Sequence, residues 1–140
     1  MNSEVEMKTT PIAKEESVGA TVDRMCAQRF RVLVADDSES DHFMARRALG
    51  RSTCLEHCGW VHDGEELLQY LKGEGNYADR ARFPFPDLLL LDIEMPRMDG
   101  LEALAWIQQQ HFPALCVVML SSSLDAKNIA RALELGADYY

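Results

Sequence analysis

Val32-Leu33-Val34-Ala35-Asp36-Asp37-Ser38 is a short apolar run that stops abruptly at two acids. Its length and β-branched content suit a strand, and it lacks the alternation of a half-solvated one. Leu88-Leu89-Leu90-Leu91-Asp92 and Leu115-Cys116-Val117-Val118-Met119-Leu120-Ser121 repeat the pattern downstream. Each is apolar throughout and each ends in a polar residue. Strands of this kind need cover on both faces, which parallel sheets with crossover helices provide.

Helical patterns separate these runs. One covers roughly residues 39–49, with Phe43, Met44, Ala48 and Leu49 as the expected inward stripe. A β-like segment follows over about 55–61, and Asp63-Gly64 turns the chain into a helix carrying Leu67, Leu68 and Leu71. A polar loop spans 73–86, where Pro84 and Pro86 stop regular structure. After Met95-Pro96-Arg97-Met98-Asp99-Gly100 comes a helix with Leu101, Leu104 and Ile107. The last helix is predicted over about 125–135 and is stopped by Gly136. Asp63-Gly64 and Asp99-Gly100 both open helices, without any wider repeat. The alternation β-α-β-α-β-α-β-α-β predicts a doubly wound α/β fold on a parallel sheet of five strands, the last begun at Tyr139-Tyr140. Residues 1–28 are polar, mixed in charge and aperiodic, and read as a flexible tail ahead of a domain at 29–140.

The chain has 140 residues, 47% of them apolar, and a net charge of −9. That size suits one domain with a real core. The negative balance argues against binding nucleic acid, whose phosphates would be repelled. No stretch reaches the roughly 20 apolar residues that span a bilayer, and no secretory signal opens the chain. The expectation is a cytoplasmic protein with no membrane partner. Cysteines 26, 54, 58 and 116, with His57 and His62 near the middle pair, do not have the spacing of a zinc module. They are expected to be reduced thiols.

The informative residues stand where strands end. In a doubly wound sheet, sites form beyond the carboxyl ends of central strands. There Asp36, Asp37, Asp92 and Ser121 would meet. Carboxylates at ~5 Å, with an effective dielectric of ~20, repel by about 3 kcal/mol per pair. Such a group takes up protons or recruits a hard dication, and magnesium fits an all-oxygen donor set that keeps water positions open for a phosphate oxygen. A carboxylate beside that ion can act as a nucleophile toward phosphorus. Taken singly, each residue has a structural use: Ser38 or Asp37 as a helix N-cap, Ser121 to Ser123 as a cap of the last helix, Asp99-Gly100 as a turn. Their placement on successive strand ends is what favours a site.

These motifs, with Leu135-Gly136-Ala137-Asp138-Tyr139-Tyr140, resemble the receiver domain of two-component response regulators across residues 31–140. The long loop before Pro86-Asp87 is similar to stand-alone receivers associated with phytochrome-type kinases. The resemblance implies a flavodoxin-like sheet of order 2-1-3-4-5 and a phosphoacceptor at Asp92. Asp37 would bind Mg2+ directly, Asp36 mostly through water, and the main-chain carbonyl of Glu94 would add a ligand. Ser121 would be the switch hydroxyl and Tyr140 the switch aromatic, while Glu94 and Ser123 fall where the family tunes hydrolysis of the acyl phosphate. The implied partner is a sensor histidine kinase or a phosphotransfer protein.

One departure stands out. The family's lysine three residues past the aromatic, and its fifth helix, have no counterpart before the chain stops at Tyr140. Lys127, expected on a solvent-facing first turn, cannot replace that lysine. The expectation is a fragment of a longer product with an incomplete last strand and part of one sheet face bare, which makes a homodimer a further partner. Two other readings stay open: a non-switching interaction module that keeps the fold without the chemistry, and an aspartyl-nucleophile phosphatase. The first reading is of a signalling phosphoacceptor and not of an enzyme.

Overall fold

The computed structural model describes residues 28–120 and 126–140. Its four strands are β1 (Phe30–Ala35), β2 (Leu55–Val61), β3 (Leu88–Asp92) and β4 (Cys116–Leu120). All pairings are parallel and the sheet order is β2-β1-β3-β4. Tyr139 forms an isolated parallel bridge to Val118 at the outer side of β4, the position of the predicted fifth strand. The helices are α1 (Glu39–Gly50), α2 (Gly64–Lys72), α3 (Gly100–Gln110) and α4 (Ala126–Glu134). None of the described helices is long and apolar enough to cross a membrane.

Strand composition explains the layering. Alternate β1 residues Leu33 and Ala35 face one side and Val32 and Val34 the other, and all four are buried. On the first side Leu33, Leu89, Leu91, Val117 and Met119 meet Leu67 and Leu71 of α2, Leu104 and Ile107 of α3 and Ala132 of α4. The second side is thinner. There Leu49 of α1 packs on Val32 and Val34, and Leu88 and Leu90 are only half-buried.

The register of α1 departs from expectation. Phe43 and Met44 are 58% and 65% exposed and Ala48 is exposed, whereas His42 and Leu49 are buried with Ala45 half-buried. The inward face therefore follows the 42, 45, 49 spacing. His42 is admitted because its ring stacks on Trp60, centroids 3.9 Å apart and planes within 5°, which gives a polar ring an apolar neighbour.

The 73–87 connection is better packed than its polar composition implies. It contains a 3-10 turn, Gly75–Tyr77. Tyr77 and Phe83 gather around Tyr70 of α2, and the Tyr70 hydroxyl donates to the Pro84 carbonyl at 3.0 Å. Arg80 donates to the carbonyls of Leu71 and Phe83, at 2.8 and 3.1 Å, tying the loop to the end of α2. Cys58 and Cys116 are free thiols, as expected. Cys54 is disulfide-bonded, contrary to the reading of uniformly reduced cysteines.

The two Asp-Gly pairs have a shared role. Asp63 and Asp99 each cap a helix, accepting from the N–H groups of Glu66 and Glu102 at 2.8 Å. Gly64 and Gly100 then allow close approach: the Gly64 N–H donates to the Met98 carbonyl at 3.0 Å, and the Gly100 N–H to that of Ile93 at 2.7 Å. A Cβ on Gly100 would lie 2.1 Å from the Asp92 carbonyl oxygen. Gly100→Ala is therefore expected to destabilise the fold by about 3 kcal/mol. Gly50→Ala, whose Cβ would meet nothing within 4 Å, should be neutral or gain up to about 1 kcal/mol. Urea unfolding of the two variants checks both outcomes.

Candidate metal and phosphoacceptor site

Asp36 and Asp37 follow the last residue of β1, and Asp92 is the last residue of β3, its neighbour in the sheet. Each therefore emerges where backbone pairing ceases and the side chain turns toward the sheet edge. Asp36 is held from two sides. Its Oδ1 accepts from the Ser38 N–H at 2.8 Å, and its main-chain carbonyl accepts from the indole N–H of Trp60 at 2.7 Å. Ser38 is the N-cap of α1, its side chain accepting from the Asp41 N–H. The hydroxyl thus does the capping, and the two aspartates before it are left for the pocket.

Asp36, Asp37 and Asp92 each present a carboxylate oxygen within 4.8 Å of the others. Asp36 is 4% exposed, Asp92 half-buried and Asp37 exposed. Burial first, then the charge of Asp36, pushes the Asp92 carboxyl up from its ordinary 3.8 to about 7, while the Glu94 N–H works in the opposite direction. Burial also raises Asp36. A cavity of about 700 Å³ opens over these groups, with Glu94 on its rim and Met44, Ala48 and Leu120 as apolar wall. Three convergent carboxylate oxygens, with the proton affinity of Asp36 and Asp92 raised, form a hard donor set suited to a dication such as Mg2+ or Mn2+.

The other sequence-predicted residues are placed as follows. Glu94 lines the same cavity as Asp92. Tyr140 is half-buried against the main core, and its hydroxyl is buried without a hydrogen-bond partner among the described residues. Lys127 is exposed on the first turn of α4. Ser121 and Ser123 lie outside the described residues, which end on that side at Leu120, the register partner of Asp92.

Two contributors were not singled out from sequence. Trp60, at the far end of β2, anchors the Asp36 main chain. Arg97, in the left-handed region at φ 67°, reaches from the loop after β3 to Asp63, its Nε donating to Oδ2 at 3.1 Å. Burial opposes ionisation of Asp63, but the Glu66 N–H and the Arg97 guanidinium outweigh it and hold the carboxyl below its usual range. The loop that follows β3 is thereby tied to the cap of α2. Nothing in the local sequence signals either contact, since both partners are distant along the chain.

Comparison with known proteins gives this arrangement its family. The family model for the response regulator receiver domain matches residues 32–140. The chain is 30% identical over 110 residues to response regulator Rcp1 of Synechocystis, covering 78% of this chain and 73% of that one. The Mn2+-bound structure of Rcp1 superposes with a TM-score of 0.68 over 79% of this chain and 78% of that one, at 31% identity. The phosphorylated cyanobacterial phytochrome response regulator RcpA gives a TM-score of 0.70 at 34% identity, over 80% of this chain and 79% of that one. A protein-glutamate methylesterase/protein-glutamine glutaminase of Pyrococcus abyssi is 31% identical over 81% of this chain, but the match spans only 28% of that protein. On its matched length, sheet order and acidic strand ends, this chain belongs to the response regulator receiver domain family.

Proposed function

We propose that the protein is a phospho-accepting signalling switch, taking a phosphoryl group onto Asp92 from a sensor histidine kinase or a phosphotransfer protein. The observation that carries this reading is the meeting of three carboxylates from two neighbouring strand ends within 4.8 Å. An Asp92 carboxylate oxygen attacks phosphorus, a P–O bond forms as the P–N bond of a phosphohistidine breaks, and the imidazole leaves with a proton from solvent. Asp36, Asp37, Asp92 and the Glu94 main-chain carbonyl would hold Mg2+, which when bound offsets negative charge on the transferring group.

The residues themselves prepare the step. Only ionised Asp92 is nucleophilic, and its carboxyl sits near 7 in the metal-free protein, so cation binding and nucleophile activation are linked. The Glu94 N–H favours the ionised form. Ser121 is assigned the switch hydroxyl and Tyr140 the switch aromatic; the buried hydroxyl of Tyr140, unpaired among the described residues, supports a residue with a second position to move to. The likeness to the phytochrome response regulator RcpA favours a phytochrome-type kinase as donor. The acidic chain favours neither nucleic acid nor an anionic membrane surface, and a cytoplasmic setting accords with its kinase partner. No turnover of a separate substrate is assigned to it.

Incubation with acetyl phosphate and Mg2+ is expected to add one phosphoryl group per chain, read by intact-protein mass spectrometry. Asp92→Asn should abolish it, and equal uptake by that variant would overturn the assignment of the acceptor.

The raised Asp92 carboxyl also fixes a pH dependence. A carboxyl whose folded value lies above its unfolded one stabilises the fold below about pH 4, and that contribution is lost as pH rises through about 7. Without divalent ions, the melting temperature of the native chain relative to Asp92→Asn should therefore fall across this window. Mg2+ should bind with the opposite trend, its apparent affinity weakening by up to about tenfold per pH unit below 7 as it competes with the proton. Thermal melts with and without Mg2+ from pH 5 to pH 8 read both effects.

A further inference from the structure

A second group of ligating side chains lies between α1 and β2, outside the acidic pocket. His42 projects inward from α1, and His57 stands on β2, the edge strand, in register with Val32. Their Nε2 atoms are 2.9 Å apart. The ring centroids are 5.0 Å apart with planes inclined at 52°, so the imidazoles meet tip to tip with both nitrogens at the junction. We propose that His42 and His57 form a second metal site, chelating a borderline dication of the Zn2+, Ni2+ or Cu2+ class through their two Nε2 atoms.

The geometry is close to that of a chelating pair. Imidazole nitrogens bound at roughly 2.0–2.1 Å to one ion lie about 2.9 Å apart at a right angle and about 3.3 Å apart at the tetrahedral angle. The observed spacing needs a shift of a few tenths of an ångström at most, with a tilt of each ring. In the metal-free protein the junction is an Nε2–H···Nε2 hydrogen bond. The ring that carries its proton on Nε2 moves it to Nδ1 through solvent, so an ion can replace the bond with no net proton release.

The donors are held by rigid elements. The His42 ring lies flat on Trp60, and Trp60 is fixed by its own N–H bond to the Asp36 carbonyl. Such outer contacts orient a ligand before the ion arrives. Cys58, the bulge residue beside His57, takes no part: its Sγ faces Tyr70, 3.6 Å from the hydroxyl. Of the charges on α1, Arg46 acts on both rings and Glu39, one turn before His42, offsets it only in part. The two sites sort ions by chemistry, since paired imidazoles favour borderline ions and the all-oxygen pocket favours hard ones. Among the described residues β2 is an edge strand and His57 is half-buried, so the remaining coordination positions would be filled from that side by water or by a donor on another molecule.

Isothermal titration of Ni2+ and of Zn2+ into the intact chain, with saturating Mg2+ over the acidic pocket, tests this. One equivalent is expected to bind, with affinity at least about tenfold weaker in His57→Gln, a substitution at a half-buried edge position. Cu2+ should give an electron paramagnetic resonance spectrum with hyperfine coupling from two imidazole nitrogens, reduced to one in His57→Gln. Circular dichroism melts establish that the variant folds. Failure of all three ions to bind, or binding unchanged in His57→Gln, would overturn the proposal.

Discussion

Mutual repulsion of carboxylates at the carboxyl edge of the sheet is the constraint around which this structure is organised. Parallel pairing of β1 with β3 fixes the ends of those strands as neighbours, so Asp36, Asp37 and Asp92 cannot separate without breaking the central ladder. The fold pays for this proximity in its core, where the two strands bury Val32, Leu33, Val34, Ala35, Leu89 and Leu91. Hydrophobic burial of that extent readily outweighs a local electrostatic cost of a few kcal/mol. The result is a site poised to take up either a proton or a cation.

The contacts around the site keep the acids from relaxing apart. Ser38 both caps α1 and donates its N–H to Asp36, and Trp60 holds the Asp36 carbonyl from the neighbouring strand. On the other side Gly100 lets the start of α3 press against the main chain of Asp92 and Ile93. Arg97 ties the intervening loop to Asp63. The first of these supports ends in the stacked rings of Trp60 and His42, so the packing that orients the imidazole pair also anchors one wall of the acidic pocket.

The sheet is unevenly covered. Among the described residues three helices pack on one face and α1 alone packs on the other, where Leu88 and Leu90 remain half-buried and Leu120 is 36% exposed. The apolar wall of the acidic cavity belongs to this second face. Charge and apolar surface are therefore contiguous beside Asp92.

Much of this was legible in the sequence because its signals are local. Uninterrupted apolar runs marked β1, β3 and β4, polar residues marked their ends, and Asp-Gly pairs marked two helix starts, since each depends on a few adjacent residues. The choice of Asp36, Asp37 and Asp92 followed from strand ends alone. Other features were settled only in three dimensions. The inward face of α1 was misread because Phe43 and Met44 outrank His42 in hydrophobicity, and only the Trp60 ring across the helix–strand interface makes position 42 a buried one. The 73–87 loop looked unstructured because its aromatic residues have no periodicity; their partner, Tyr70, lies on a preceding helix. The spacing of His42 and His57, fifteen residues apart and on different elements, carries no signature along the chain. Residue type determines which groups can pair, whereas the sheet order and the seating of α1 determine which of them meet.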